Sequence, residues 1–205
     1  MVYTKVQIYN LALSALLINR KVADIDSDNS TDVKTLNTHW DIAWNTTLQD
    51  LDLDSTSSSV ALELIEEEPN PHWNYAYKYP VDCSFLRRIR SSVVKDNRST
   101  QIPRRVAIHE GQKAILTNEY EAVAEYIPED LDIGTLSAPA GLAVAYRLAM
   151  LSNSLVTGKA SKELKAEIEK KYIIAKTEAQ ELDRLENANF DEDEITSEFV
   201  EVRTT

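Results

Sequence analysis

Glu66, Glu67 and Glu68 are three consecutive side chains that could act as acid and base. A pair of carboxylates astride one bond is the equipment of glycoside hydrolysis, including peptidoglycan cleavage. Adjacent acids beside Pro69 and Pro71 have, however, the composition of a solvated loop. His39, His72 and His109 could ligate zinc, but none is followed by a second ligand three or four residues later. Cys83 is the sole cysteine, which excludes an intramolecular disulfide and a cysteine-built zinc site; it reads as a small buried apolar residue. Gly158-Lys159 resembles the end of a phosphate loop, yet residue 153 is asparagine where glycine is required, and Ala160 stands where serine or threonine binds the metal. Neither Gly-x-Gly-x-x-Gly nor Gly-x-Ser-x-Gly occurs. The residues therefore predict no catalytic group, no cofactor and no metal.

Two other constellations have chemistry of recognition rather than reaction. Trp73, Tyr75, Tyr77 and Tyr79 alternate between Pro71 and Pro80, so an extended strand places all four on one side. Such a row is either a core seam or a surface that a partner covers. From Phe85 to Ile108 the chain carries Arg87, Arg88, Arg90, Lys95, Arg98, Arg104 and Arg105 against Asp96 alone. With Lys95–Thr100 read as a hairpin tip, this basic island is expected on a projecting hairpin. It is either a solvated strand pair with outward arginines or a surface for a partner.

Composition limits what that partner can be. The chain of 205 residues has a net charge of -12, so it is no general nucleic-acid binder despite the island. Seven acidic residues against Arg203 lie between Glu186 and Thr205. Opposite charges on separate patches favour contact between protein surfaces. No apolar run has the length of a signal peptide or a membrane span, so synthesis in the cytoplasm and no membrane partner are expected.

The elements that position these residues follow from periodicity. Thr4 caps a first helix with apolar Val6, Ile8, Leu11, Leu13, Ala15, Leu16 and Leu17. A second helix carries Val33, Leu36, Trp40, Ala43, Trp44, Leu48 and Leu51, with N-cap candidates from Asp24 to Asn29. Asp50–Ser59 reads as a polar link, followed by a short apolar run from Val60 to Ile65. Strands are predicted for the aromatic segment, Phe85–Val94, Ile102–Ile108, Ala114–Thr117 and Glu121–Ile127, with a turn at Glu110-Gly111. One helical turn at Glu129–Ile133 precedes a helix over Ala138–Val156 that ends at Gly158. Ser161 caps a last helix with Leu164, Ile168, Tyr172, Ala175, Ala179 and Leu182 as its stripe and Glu167–Lys171 as an ion pair. The expected fold is mainly α with a β insertion (α+β): an antiparallel helical bundle of two sequence-distant helix pairs, carrying a small antiparallel sheet or hairpin. One domain spans 1–186, helical over 1–55 and 137–186 with a β-rich insert at about 60–128. An acidic tail over 187–205 follows, expected to order on a partner.

The pattern Pro71-x-Trp73-x-Tyr75-x-Tyr77-x-x-Pro80-x-Asp82-Cys83-x-x-Leu86 resembles a segment of the head-to-tail adaptors of short-tailed bacteriophages, the tail tubular protein A or connector ring family. Asn10–Leu16 is similar to that family's first helix, without the glycine customary soon after it. Trp40 and Trp44 resemble its second helix, Ile115–Asn118 and Ala124–Ile127 its closing strands, and Ala143-x-x-x-Arg147-Leu148-Ala149 its third helix. The likeness covers roughly Lys5 to Leu185 in order.

The resemblance implies a non-enzymatic virion protein at the head–tail junction. It implies a homo-oligomeric ring, usually twelve-membered, between the portal protein and the next tail or nozzle protein, with double-stranded DNA passing through its channel unread. Arg87, Arg88, Arg90, Arg98, Arg104 and Arg105, with Phe199 and Val200 of the tail, are the expected partner contacts. In several such adaptors the C-terminal segment reaches the portal. Two other readings remain open at this point: a nucleic-acid-binding accessory protein stacking bases on Tyr75, Tyr77 and Tyr79, and a virion peptidoglycan hydrolase using Glu66–Glu68.

Overall fold

The computed structural model describes residues 3–93, 102–158 and 162–187. They form two compact units, one from Met1–Ser55 and Asp132–Thr205, the other from Thr56–Leu131.

Helix α1 (Lys5–Ala15) opens with a capping box: Thr4 Oγ1 accepts from the Gln7 N–H at 3.3 Å, and Gln7 Oε1 accepts from the Thr4 N–H at 2.9 Å. It closes in a Schellman turn, with the Ile18 N–H donating to the Leu13 carbonyl and the Leu17 N–H to that of Ser14, both at 3.0 Å. That turn needs a left-handed residue, and it is Leu17, at φ 61°, that occupies the place. Helix α2 (Thr31–Leu51) starts from Ser30, one residue beyond the expected caps; Asp28 instead receives the Ser30 N–H at 2.9 Å and the Arg20 guanidinium. Helix α3 (Ala138–Val156), capped by Ser137, and helix α4 (Lys162–Asn187) complete the unit. The expected cap of α4, Ser161, lies outside the described residues.

Helix α3 is the hub, in contact with α1, α2 and α4. Ala140, Ala143, Val144, Ala145, Leu148 and Ala149 are all fully buried on it. Small side chains let neighbours approach closely: a Cβ on Gly141 would fall 2.4 Å from the Tyr3 ring. A polar clamp fastens three helices. Asp50 of α2 accepts from Arg147 of α3 at 2.7 Å, and from Tyr172 at 2.5 Å and Lys176 at 2.6 Å on α4. Burial opposes ionisation of Asp50, but the hydrogen bonds and charges of these partners prevail and lower its pKa.

The second unit contains two antiparallel sheets. In the first, the order is β1 (Ser58–Ala61), β7 (Ala122–Pro128), β4 (Cys83–Ser91); in the second it is β2 (Leu64–Asn70), β3 (Trp73–Lys78), β6 (Gln112–Thr117), β5 (Arg104–His109). Tyr77 and Ile115 from one sheet meet Leu86, Ile89, Ala124 and Tyr126 from the other in a common core. Glu110 and Gly111, both at positive φ, make the tight β5–β6 turn. Strand β1 pairs with β7, Ser58 opposite Tyr126, so the chain enters and leaves the unit side by side.

This overturns the expected helical bundle with a small hairpin insert. Among the described residues, seven strands in two sheets make up 26%, against 48% helix, an α+β fold. The expectation fell short because β1 is Ser-rich and β2 contains the glutamates and Pro69, compositions with little β propensity. Both are edge strands, where proline and charge are tolerated. Nor do β4 and β5 form the two arms of the expected projecting hairpin: among the described residues they lie in different sheets and do not pair.

Candidate partner interface

The arginine island folds largely inward. Strand β4 places Arg88 directly opposite Glu125 of the central strand β7, with Arg90 two residues on along the same face. Both guanidinium groups form ion pairs with the Glu125 carboxylate, which is only 11% exposed. One buried carboxylate straddled by two arginines leaves the cluster with a single net positive charge. Arg87 donates to Ser57 Oγ, and Arg104 of β5 donates to the Arg87 backbone carbonyl at 2.5 Å, joining the two sheets. Burial lowers the pKa of the Arg104 guanidinium. Arg105 points to solvent. Lys95 and Arg98, with the expected hairpin tip, lie outside the described residues, as do Phe199 and Val200. Glu125 was not among the residues singled out from the sequence. Alternation puts Glu125 on the face of β7 opposite core residues Ala122, Ala124 and Tyr126, so its burial had no signal in the strand pattern.

The aromatic row is a core seam that turns into a corner between sheets. Tyr77 is 2% exposed and donates to the Glu119 carbonyl at 3.0 Å; Tyr75 and Tyr79 pack half-buried against the same core, and Trp73 is half-buried. A core position withdraws Tyr77 from any base-stacking surface. Ala76, on the other face of the strand, is fully buried. Pro80 starts the turn that carries the chain to the other sheet, its carbonyl accepting the Cys83 N–H at 3.3 Å. Cys83 Sγ donates to the Tyr79 hydroxyl at 3.2 Å, and both carboxylate oxygens of Asp82 lie 2.9 Å from the Tyr126 hydroxyl, which donates to them. Burial and then Asp82 push the Tyr126 pKa up to about 12, and burial raises the Cys83 thiol. Lys113 sits 3.5 Å above the Tyr79 ring. The motif builds a joint.

What remains open is beside that joint. Strands β4 and β5 are each the edge of a sheet, and among the described residues no further strand pairs with either. Between them runs a groove of about 540 Å³ lined by Phe85, Leu86, Ile102, Pro103, Arg104 and Val106. Val106 stands opposite core residue Ile115, yet is 42% exposed, and Ile108 on the same side is 73% exposed. These side chains face inward from β5 at a place where the core is uncovered. Such an edge with an apolar floor is suited to receive a further strand.

The glutamates of β2 behave differently. Consecutive strand residues face opposite sides, and Glu66 meets His109 Nε2 at 2.8 Å. Glu68 adopts φ 52° in an irregular stretch of the strand. Among the described residues no cluster of three His, Cys, Asp or Glu side chains could hold a metal, and no helix is long and apolar enough to cross a membrane. No protein-family model matches the chain, and no curated protein matches it.

Proposed function

We propose that this chain is a structural virion protein, a head-to-tail adaptor that assembles as a ring between portal and tail and extends the DNA channel. The observation that carries the reading is the use of the Trp73–Cys83 motif. Tyr77, Pro80, Asp82 and Cys83, which bear the resemblance to adaptors, are each engaged in the crossing between sheets. A likeness at residues that dictate a fold is a stronger argument than one at exposed positions.

The surfaces are compatible with a ring. Head-to-tail assembly joins two different patches of one subunit, and the open edges of β4 and β5 supply one patch whose chemistry is unlike the acidic remainder. With Arg88 and Arg90 sharing Glu125, the three side chains present one net positive charge rather than two, which weakens any grip on DNA phosphates, and a conduit needs no such grip. Negative-stain imaging of the purified protein, alone and with the portal protein of the same phage, tests the reading. Ring-shaped particles are expected in at least the second sample. Small monomeric particles in both would overturn it.

A further inference from the structure

We propose that segment Asp191–Val202 of a second copy of this chain adds as a strand along the open edge of β5, setting Phe199 into the groove between Phe85 and Val106. The choice of a second copy as donor rests on the ring reading; the recognition itself does not.

Three observations point to this occupant. First, the acceptor has free backbone and uncovered apolar side chains together: β5 has no outer partner among the described residues, and Val106 and Ile108 are exposed on its core-facing side. Second, the charges match. Among the described residues lining the groove Arg104 is the charged one, and exposed Arg105 is next to it. Asp191–Val202 contains Asp191, Glu192, Asp193, Glu194, Glu198 and Glu201 and no basic residue. Third, Ile195, Thr196, Phe199, Val200 and Val202 are residue types that favour strands, in a segment otherwise rich in charge. Phe199 and Val200 are adjacent, so an added strand sends one toward the groove and the other outward.

Helix α4 ends at Asn187, and the 18 residues from 188 to 205 span up to roughly 60 Å when extended. Donor and acceptor are different surfaces of one chain, so each copy can give its segment to the next. The contact is heterologous, the kind from which rings close. Main-chain hydrogen bonds provide affinity in such an added strand, and the pocket for alternate side chains provides register.

Cysteine pairing in the full chain tests the assignment. A Val106→Cys chain is mixed at high concentration with a differently tagged Phe199→Cys chain under oxidising conditions. Native Cys83 is buried and does not compete. The expected result is at least tenfold more mixed-tag disulfide dimer than from a control pairing of Phe199→Cys with Val81→Cys, whose site is 99% exposed on the same unit. Should Val106→Cys unfold, Ile108→Cys replaces it. A yield equal to the control would overturn the proposal. So would a chain carrying both cysteines that closes on itself at high dilution, which would give the groove to its own tail. Rings seen by negative stain without the cross-link refute only this inference, whereas the cross-link without rings refutes only the ring reading.

Discussion

Two residues show how much single side chains decide here. Leu17 holds the left-handed position of a Schellman turn with its side chain 78% exposed, so its strain is not offset by burial. For a residue with a Cβ that conformation costs about 1–2 kcal/mol, part of which returns as glycine's larger unfolded-state entropy. Leu17→Gly is therefore expected to stabilise the protein by up to about 1 kcal/mol, read as a higher urea midpoint at unchanged slope. Glu125 lies at the opposite extreme. Glu125→Gln leaves Arg88 and Arg90 facing a neutral amide, and an orphaned buried charge is costly. The arginines are a quarter to a third exposed, which moderates the loss to about 1–3 kcal/mol. A Glu125→Gln protein with wild-type stability would mean that water already solvates the pair.

At the scale of elements, the Asp50 clamp makes the helical unit sensitive to acid. Its folded pKa lies below the ordinary aspartate value, so its contribution is complete above about pH 4 and disappears as pH falls through the folded value. Asp50→Asn is expected to lower the urea midpoint at neutral pH, with the gap to wild type closing in strong acid. A gap constant from neutral pH to pH 2 would assign the effect to geometry instead of charge. How legible these elements were depended on what holds them. Helices α1, α2 and α3 could be read because apolar spacing and caps are local; the stripe of α4 also proved buried at Ile168, Tyr172, Ala175 and Ala179. Strands β3, β4, β5, β6 and β7 were visible through aromatic and β-branched content. β1 and β2 were not, since Ser58–Ala61 and Leu64–Asn70 become strands only through partners distant in sequence. The same cause hid the candidate interface. Arg87 to Arg105 looked like one basic hairpin, and nothing local says that its two strands belong to separate sheets or that Glu125 lies opposite Arg88.

For the molecule as a whole, the inward arginines separate two effects that a charge-reversal series would otherwise confuse. Arg88→Glu and Arg90→Glu place a second acid beside Glu125 and are expected to lower thermal stability before any assembly step is reached. Arg105→Glu alters an exposed site and is expected to leave the unfolding midpoint within about 0.5 kcal/mol of wild type while impairing ring formation. Sedimentation at matched concentration, alongside a thermal melt, distinguishes the two. Full assembly by folded Arg105→Glu would remove that side chain from the interface.

The side-by-side arrangement of β1 and β7 also has a consequence for biosynthesis. Helices α1 and α2 leave the ribosome first, but α3, which contacts them both, begins only at Ala138. Translation of the intervening 76 residues, Thr56–Leu131, takes about 4–15 s at ordinary elongation rates. During that interval the nascent chain holds two helices without their hub. The β unit, complete within its own segment and closed by pairing of its first and last strands, can fold in the meantime and bring the two ends of the interrupted helical unit together.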